Sequence, residues 1–199
     1  MVEQDICDIE SLKCVFEQHK IDYVFHLAAN SDIQASANDP SIELHNTYLT
    51  TFTLLECMRQ YNVKKFFFAS TSAVYGDLRG QNIAEDCPNM RPISYYGGAK
   101  LGSEGIISSY TYMNDMQTLI FRFPNVIGPR LTHGVIFDFI KRLKDDPTRL
   151  RILGNGKQAK PYIYVTDLVD AIIKFMDVPT GITLYNVGVE GQTTVTKIA

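Results

Sequence analysis

Three short apolar runs constrain this chain more than any other feature: Tyr23-Val24-Phe25-His26-Leu27-Ala28-Ala29, Phe66-Phe67-Phe68-Ala69-Ser70 and Thr118-Leu119-Ile120-Phe121-Arg122-Phe123. Lacking a regular wet face, they read as strands buried on both sides of a parallel sheet. Helical patterns separate them. Residues 9–20 follow a plausible N-cap, Asp8, and repeat Ile9, Leu12, Val15 and Phe16 at helical spacing. Residues 40–61 form a second helix, with Leu44, Tyr48, Leu49, Phe52, Leu55 and Met58 as its expected inner stripe. A Gly-, Pro-, Asn- and Asp-rich loop over 75–94 leads to a third helix over 95–112. Alternating strands and helices imply right-handed crossovers, hence a doubly wound α/β sheet.

After Pro124 the rhythm changes. Turn signals at Gly128-Pro129, Thr132-His133-Gly134 and Gly154-Asn155-Gly156 surround an amphipathic helix over 135–144 and short strands over 150–153 and 162–165. A helix over 167–176 follows, and residues 194–199 carry a helix-start pattern. The expected division is therefore 1–124 as a sheet domain and 125–199 as a smaller region interleaved with it.

Composition excludes several classes. Apolar residues are 45 % of the chain, enough for a core, and the net charge of −3 offers no electrostatic footprint for nucleic acid. No run approaches the roughly 20 apolar residues of a membrane span. Met1-Val2-Glu3-Gln4-Asp5 is not a secretory signal. Cys7, Cys14, Cys57 and Cys87 show no metal-ligand spacing, so no metal is expected, and reduced thiols in the cytoplasm are.

The chemistry is concentrated in Tyr96-Gly97-Gly98-Ala99-Lys100. Residues i and i+4 share a helix face. A tyrosine is a weak base near neutral pH, and a neighbouring ammonium favours its phenolate. Such a pair can take a proton from a substrate hydroxyl as hydride leaves the same carbon. Upstream, Ser70-Thr71-Ser72-Ala73-Val74-Tyr75-Gly76 follows a buried strand, where open α/β sheets bind ligands, and Thr71 can hydrogen-bond both substrate and phenol. His26 reads as a satisfied core histidine.

Taken in order, Asp5-Ile6, His26 to Ala29, Ser70 to Gly76, Tyr96 to Lys100, Arg122 to Pro129, Gly154-Asn155-Gly156 and Tyr162 to Asp167 resemble the extended short-chain dehydrogenase/reductase family, in its NAD-dependent epimerase/dehydratase branch. The resemblance implies a partial Rossmann-type fold, an NAD cofactor and a nucleotide-diphosphate-sugar substrate. It makes Tyr96 the catalytic base and acid, Lys100 the residue that lowers its pKa and holds the nicotinamide ribose, and Thr71 the catalytic hydroxyl. Asp5 and Ile6 would meet the adenine. Leu27, Ala28 and Ala29 would pass close to the cofactor, and Thr47 and Pro124 would complete its site. Ser72, Asn125, Lys160 and Tyr162 would face the substrate.

Four departures refine this. Thr47 stands where the family usually has Asn. Lys160-Pro161 precede Tyr162 in place of Arg-Asp. Ser72-Ala73 follow Thr71 in place of the acidic pair of the 4,6-dehydratases, which favours an epimerase or reductase. No strand-linked Gly-rich turn for the pyrophosphate occurs, because Gly97, Gly98, Gly102 and Gly105 fall inside the Tyr96 helix. The expectation is a fragment of a cytoplasmic 4-epimerase, homodimeric when complete and with little activity alone. A reductase or dehydratase of the same family, or a non-catalytic nucleotide-binding relative, is the alternative. An exposed edge is expected at the 23–29 strand, with the Phe66-Phe67-Phe68 strand one place in.

Overall fold

The computed structural model describes residues 1–30, 32–78 and 83–199, and the chain divides into two compact units. Residues 1–122 and 176–186 form one unit; residues 123–175 and 187–199 form the other.

The first unit begins with α1 (Ile9–Gln18), whose N-cap Asp8 accepts from the N–H groups of Glu10 and Ser11. Strand β1 (Tyr23–His26) and α2 (Ile33–Asn38) follow. Next comes a continuous helical run: α3 (Ser41–Glu43), π-helical turns over Leu44–Leu49, and α4 (Thr50–Gln60). Strand β2 (Lys65–Thr71) ends in a 3-10 turn (Ser72–Tyr75). Helix α5 (Tyr95–Met113) leads to β3 (Gln117–Phe123).

In the second unit, β4 (Asn125–Ile127), α6 (Val135–Asp145), β5 (Ala159–Lys160), β6 (Tyr162–Tyr164) and α7 (Val165–Phe175) come first. Strand β7 (Gly181–Asn186) returns to the first unit's sheet, and β8 (Thr193–Thr194) with α8 (Val195–Ile198) closes the chain. Strand β4 pairs parallel with β6, and β5 antiparallel with β8.

Among the described residues the main sheet has the order β1-β2-β3-β7. Strand β1 runs parallel to β2 from Tyr23↔Lys65 to His26↔Phe68, and β3 parallel to β7 from Gln117↔Gly181 to Arg122↔Asn186. Phe66 and Phe68 pack with Ile120 against Leu12 and Phe16 of α1, Leu55 and Met58 of α4 and Ile107 of α5. Phe67 is buried with an edge-to-face contact to Phe121. Each such phenyl contributes about 2–3 kcal/mol of transfer free energy.

Several sequence expectations need correction. The first apolar run is strand only to His26, and it is not buried on both faces: at the sheet edge, Phe25 is 43 % exposed. No second neighbour covers it among the described strands. The inner stripe of the 40–61 helix holds at Leu55 and Met58 but is displaced earlier, with Leu44 51 % exposed and Phe52 exposed, while Glu43, Thr47, Thr50, Thr51 and Thr53 are buried. The π-helical turns advance the chain by an extra residue and rotate the face that follows. Threonine tolerates this burial because its hydroxyl returns to the preceding turn: Thr51 Oγ1 donates to the Thr47 carbonyl at 2.8 Å, and Thr53 Oγ1 to the Leu49 carbonyl at 2.9 Å. Residues 150–152 are irregular and Leu153 is a bend, with no paired strand, and Arg142 Nη1 donates to the Arg151 carbonyl at 2.7 Å there. Helix α2 and strands β4 and β7 were not foreseen.

Candidate active site

The site grows from the carboxyl end of β2. Thr71, its last residue, caps the following 3-10 turn by accepting from the Ala73 N–H at 3.1 Å. Helix α5 is capped by Ser94, whose Oγ accepts from the Gly97 N–H at 3.1 Å, so Tyr96 stands in the first turn. Gly97 lets that turn lie against the 3-10 turn: a Cβ there would meet the Ala73 carbonyl oxygen at 2.7 Å. This close approach brings Tyr96 to Thr71, whose hydroxyl acts on the phenol to lower its pKa. Burial raises the Tyr96 pKa, the Thr71 hydroxyl opposes that, and the Glu43 carboxylate adds to it.

Lys100 lies one turn further along α5 and is 2 % exposed. Its Nζ donates to the Ala69 carbonyl on β2 at 2.7 Å and sits 4.6 Å from the centroid of the Phe68 ring. Burial pulls its pKa down to about 8 against the pull of Glu43 and Glu104. The ammonium is directed at the Ala69 carbonyl and the Phe68 face, and burial, Thr71 and Glu43 are what move the phenol.

Thr47, which stands where the family usually has asparagine, is fully engaged. Its hydroxyl donates to Glu43 Oε2 at 2.7 Å and accepts from the Asn30 N–H at 3.3 Å, while Asn30 Nδ2 donates to Glu43 Oε1 at 2.6 Å. His26 is the satisfied core histidine expected, 3.0 Å from Thr51 Oγ1, with its pKa lowered to about 3 by burial and then by Lys100. Glu43 and Asn30 are site residues outside the set expected from the sequence. The available signal was a polar stripe, Glu43, Thr47 and Thr51, repeating every four residues. The support behind Thr71 lies outside that set too. Ser70 Oγ donates to Glu104 on α5, and Glu104 pairs with Arg122 of β3, tying helix to sheet directly beneath the site.

The other expected contacts are dispersed. Asp5 Oδ1 accepts from the Cys7 N–H at 2.9 Å, and the Ile6 carbonyl accepts from Thr53 Oγ1 at 2.7 Å. Leu27 is exposed beyond the end of β1, with Ala28 and Ala29 half-buried beside it; Ser72 is exposed in the 3-10 turn. In the second unit, Pro124 precedes β4. Asn125 Nδ2 donates to the Pro161 carbonyl at 3.2 Å, and Asn125 is in register with Tyr162 on β6. Burial raises the Tyr162 pKa, and Lys160 is exposed on β5. The structure thus gathers Thr71, Tyr96, Lys100 and Thr47 in one unit, and Asn125 and Tyr162 in the other. No group of His, Cys, Asp and Glu suited to a metal occurs among the described residues. None of their helices is long and apolar enough to cross a membrane.

Comparison with known proteins gives the same direction. The model of the NAD dependent epimerase/dehydratase family matches residues 1–188. The chain is 32 % identical to UDP-glucuronate 4-epimerase of Thermodesulfobacterium geofontis, over 92 % of the chain and 56 % of that protein. It is 29 % identical to human dTDP-D-glucose 4,6-dehydratase, over 100 % of the chain and 56 % of that protein. The solved UDP-glucose 4-epimerase of Thermus thermophilus, in complex with NAD, superposes with a TM-score of 0.87 at 30 % identity, covering 98 % of the chain and 65 % of the solved one. The chain spans a little over half the length of these curated relatives. With the family model matched along nearly its whole length and the Thr71, Tyr96 and Lys100 side chains gathered at the end of a parallel sheet, the chain belongs to the NAD-dependent epimerase/dehydratase family of enzymes.

Proposed function

We propose that this chain is the catalytic portion of an NAD-dependent nucleotide-sugar 4-epimerase. One observation carries the reading: Gly97 lets the first turn of α5 lie against the turn that follows Thr71, which sets Tyr96 beside Thr71 with a buried Lys100 on the same helix face. In this reading Tyr96 exchanges a proton with the sugar 4-hydroxyl, directly or through Thr71. NAD, when bound, would supply a reversible acceptor for hydride at C4. Lys100 holds the nicotinamide ribose, and Asn125, Lys160 and Tyr162 keep the nucleotide diphosphate in place while the sugar turns.

The residues present suit the nicotinamide end of that cofactor. Lys100 provides a buried cation, and Ala28 and Ala29 leave a ledge of small side chains after β1. The described glycines form no Gly-rich phosphate turn between a strand and a helix: Gly97, Gly98, Gly102 and Gly105 are interior to α5, and Gly76 stands alone after the Ser72–Tyr75 turn. Weak cofactor binding by these 199 residues alone follows. Support for epimerase over dehydratase comes from Ser72 and Ala73, which offer neither the acid nor the base that water elimination needs. The similarity to the human dehydratase keeps that reaction as the second reading, and a reductase would use the same three residues. By the resemblance, the whole protein works as a cytoplasmic homodimer, and the four free thiols are in keeping with a reducing compartment.

The test is to incubate the chain with NAD and a panel of UDP- and dTDP-linked hexoses and resolve the products by chromatography. Slow interconversion of 4-epimers, abolished in Y96F and K100M and without net NADH, supports the proposal. A 4-keto-6-deoxy product or net NADH overturns it in favour of dehydration or net redox chemistry. No epimer from any of these sugars at saturating NAD overturns it as well.

A further inference from the structure

On α3, which packs against the helix of Tyr96 and Lys100, lies a buried carboxylate for which the chemistry above has no use. Glu43 ends α3 where the π-helical turns begin, and α3 packs against α5. Its side chain is almost fully buried. One carboxylate oxygen accepts from Asn30 Nδ2 at 2.6 Å and the other from Thr47 Oγ1 at 2.7 Å. The Asn30 N–H donates to Thr47 Oγ1 at 3.3 Å and closes the triangle, so the carboxylate is held from both sides.

None of the ion pairs among the described residues includes Glu43. A carboxylate with only neutral donors in a dry interior is costly unless an opposite charge lies within reach. Lys100 is that charge. The charged and titratable groups coupled to it are Glu43 from α3, Glu104 from α5 and His26 from β1, while β2 presents the Ala69 carbonyl and the Phe68 ring. Glu104 is already paired with Arg122, and His26 is neutral. Glu43 is the carboxylate left to balance Lys100, and its field also reaches the Tyr96 phenol.

We propose that Glu43 is a positioning residue: a buried carboxylate, fixed by Asn30 and Thr47, that keeps Lys100 an ammonium and Tyr96 a phenol until substrate arrives. The role rests on the reading of Tyr96 and Lys100 as the proton-handling pair. The charge coupling itself is measurable with no cofactor or substrate present.

The experiment is an NMR titration of the chain carrying 13C-labelled lysine and tyrosine, with Lys100 and Tyr96 assigned from K100R and Y96F. Replacing Glu43 by a neutral residue in E43Q or E43M removes a negative charge, and both midpoints should fall, that of Lys100 by about one pH unit. Loosened packing would act differently: burial holds a lysine down and a tyrosine up, so exposure raises Lys100 while lowering Tyr96. E43D, which keeps the charge, should restore the Lys100 midpoint. A folded E43Q or E43M chain whose Lys100 midpoint is unchanged or higher overturns the proposal. Should neither variant fold, the unmutated chain decides. An ammonium signal from Lys100 at neutral pH supports the assignment, and an amine signal there overturns it. Absence of epimerisation would count against the proposed reaction and leave this titration untouched.

Discussion

Arg122 and Glu104 form an ion pair in the interior of the main unit, only 4 % and 7 % exposed. The guanidinium bonds both carboxylate oxygens, Nε to Oε1 at 3.1 Å and Nη2 to Oε2 at 2.6 Å. Its Nη1 also donates to the Tyr75 hydroxyl at 2.6 Å and the Glu85 carbonyl at 3.0 Å, and Tyr75 donates in turn to Asn186 Oδ1 at 2.6 Å. Replacing Arg122 by Met leaves Glu104 charged and buried, with the Ser70 hydroxyl as its remaining donor. Breaking such a pair costs about 3–5 kcal/mol, because the surviving charge loses its compensation. Removing both charges in R122M/E104M avoids that penalty. What remains is about 1 kcal/mol for each hydroxyl left short of a partner, Ser70 and Tyr75, so the double variant should lose roughly 2 kcal/mol. Urea denaturation followed by circular dichroism measures all four corners of the cycle. At a slope of about 2 kcal/mol per molar urea, R122M should lower the midpoint by about 2 M and the double variant by about 1 M. Single losses below about 1 kcal/mol, or a double variant that loses the sum of the two singles, would refute the premise that charge compensation holds this junction.

Other consequences concern the site and the sheet edge. G97A should cost about 1–3 kcal/mol, since the new methyl must push α5 away from the Ala73 carbonyl, and the Tyr96 pKa should move as Thr71 and the phenol separate; a variant as stable as the parent contradicts the close approach. Lys100 titrates near 8 when folded against about 10.5 when unfolded, so the unfolded chain binds more protons between those values. Stability from this group therefore rises with pH across that window, by about 3 kcal/mol, and the wild-type-minus-K100M difference in unfolding free energy should show it. A flat or falling difference would refute the assignment. At the edge strand, F25K should reduce concentration-dependent light scattering, because a charge replaces an exposed phenyl beside unpaired backbone groups. Unchanged scattering would place the sticky surface elsewhere.

Much of the architecture is legible in the order of residues. The Phe66 and Thr118 runs are strands, Asp8 caps the first helix, and the helix containing Tyr96 and Lys100 extends only one residue beyond its expected end. These features follow from periods and caps, which act over three or four residues. Strand β7 was harder to see, because Gly181–Asn186 is only partly buried and carries a weak apolar pattern that pairing with β3 completes.

By itself, then, the sequence determined the alternating elements, the spacing that sets Tyr96 and Lys100 on one helix face, and the position of Thr71 at a strand end. Tertiary structure decided what those groups feel. Gly97 presses α5 onto the Ala73 turn, so that Tyr96 meets Thr71 from 25 positions away in the chain. Glu43 at the end of α3 meets Thr47 in the π-helical turns that follow, and Ser70, Glu104 and Arg122 meet across a strand–helix–strand junction. The physical reason is range. Helix and strand patterns are local preferences of tenths of a kcal/mol to about 1 kcal/mol per residue, whereas a buried charge is a matter of several kcal/mol settled only by the partner that folding delivers to it.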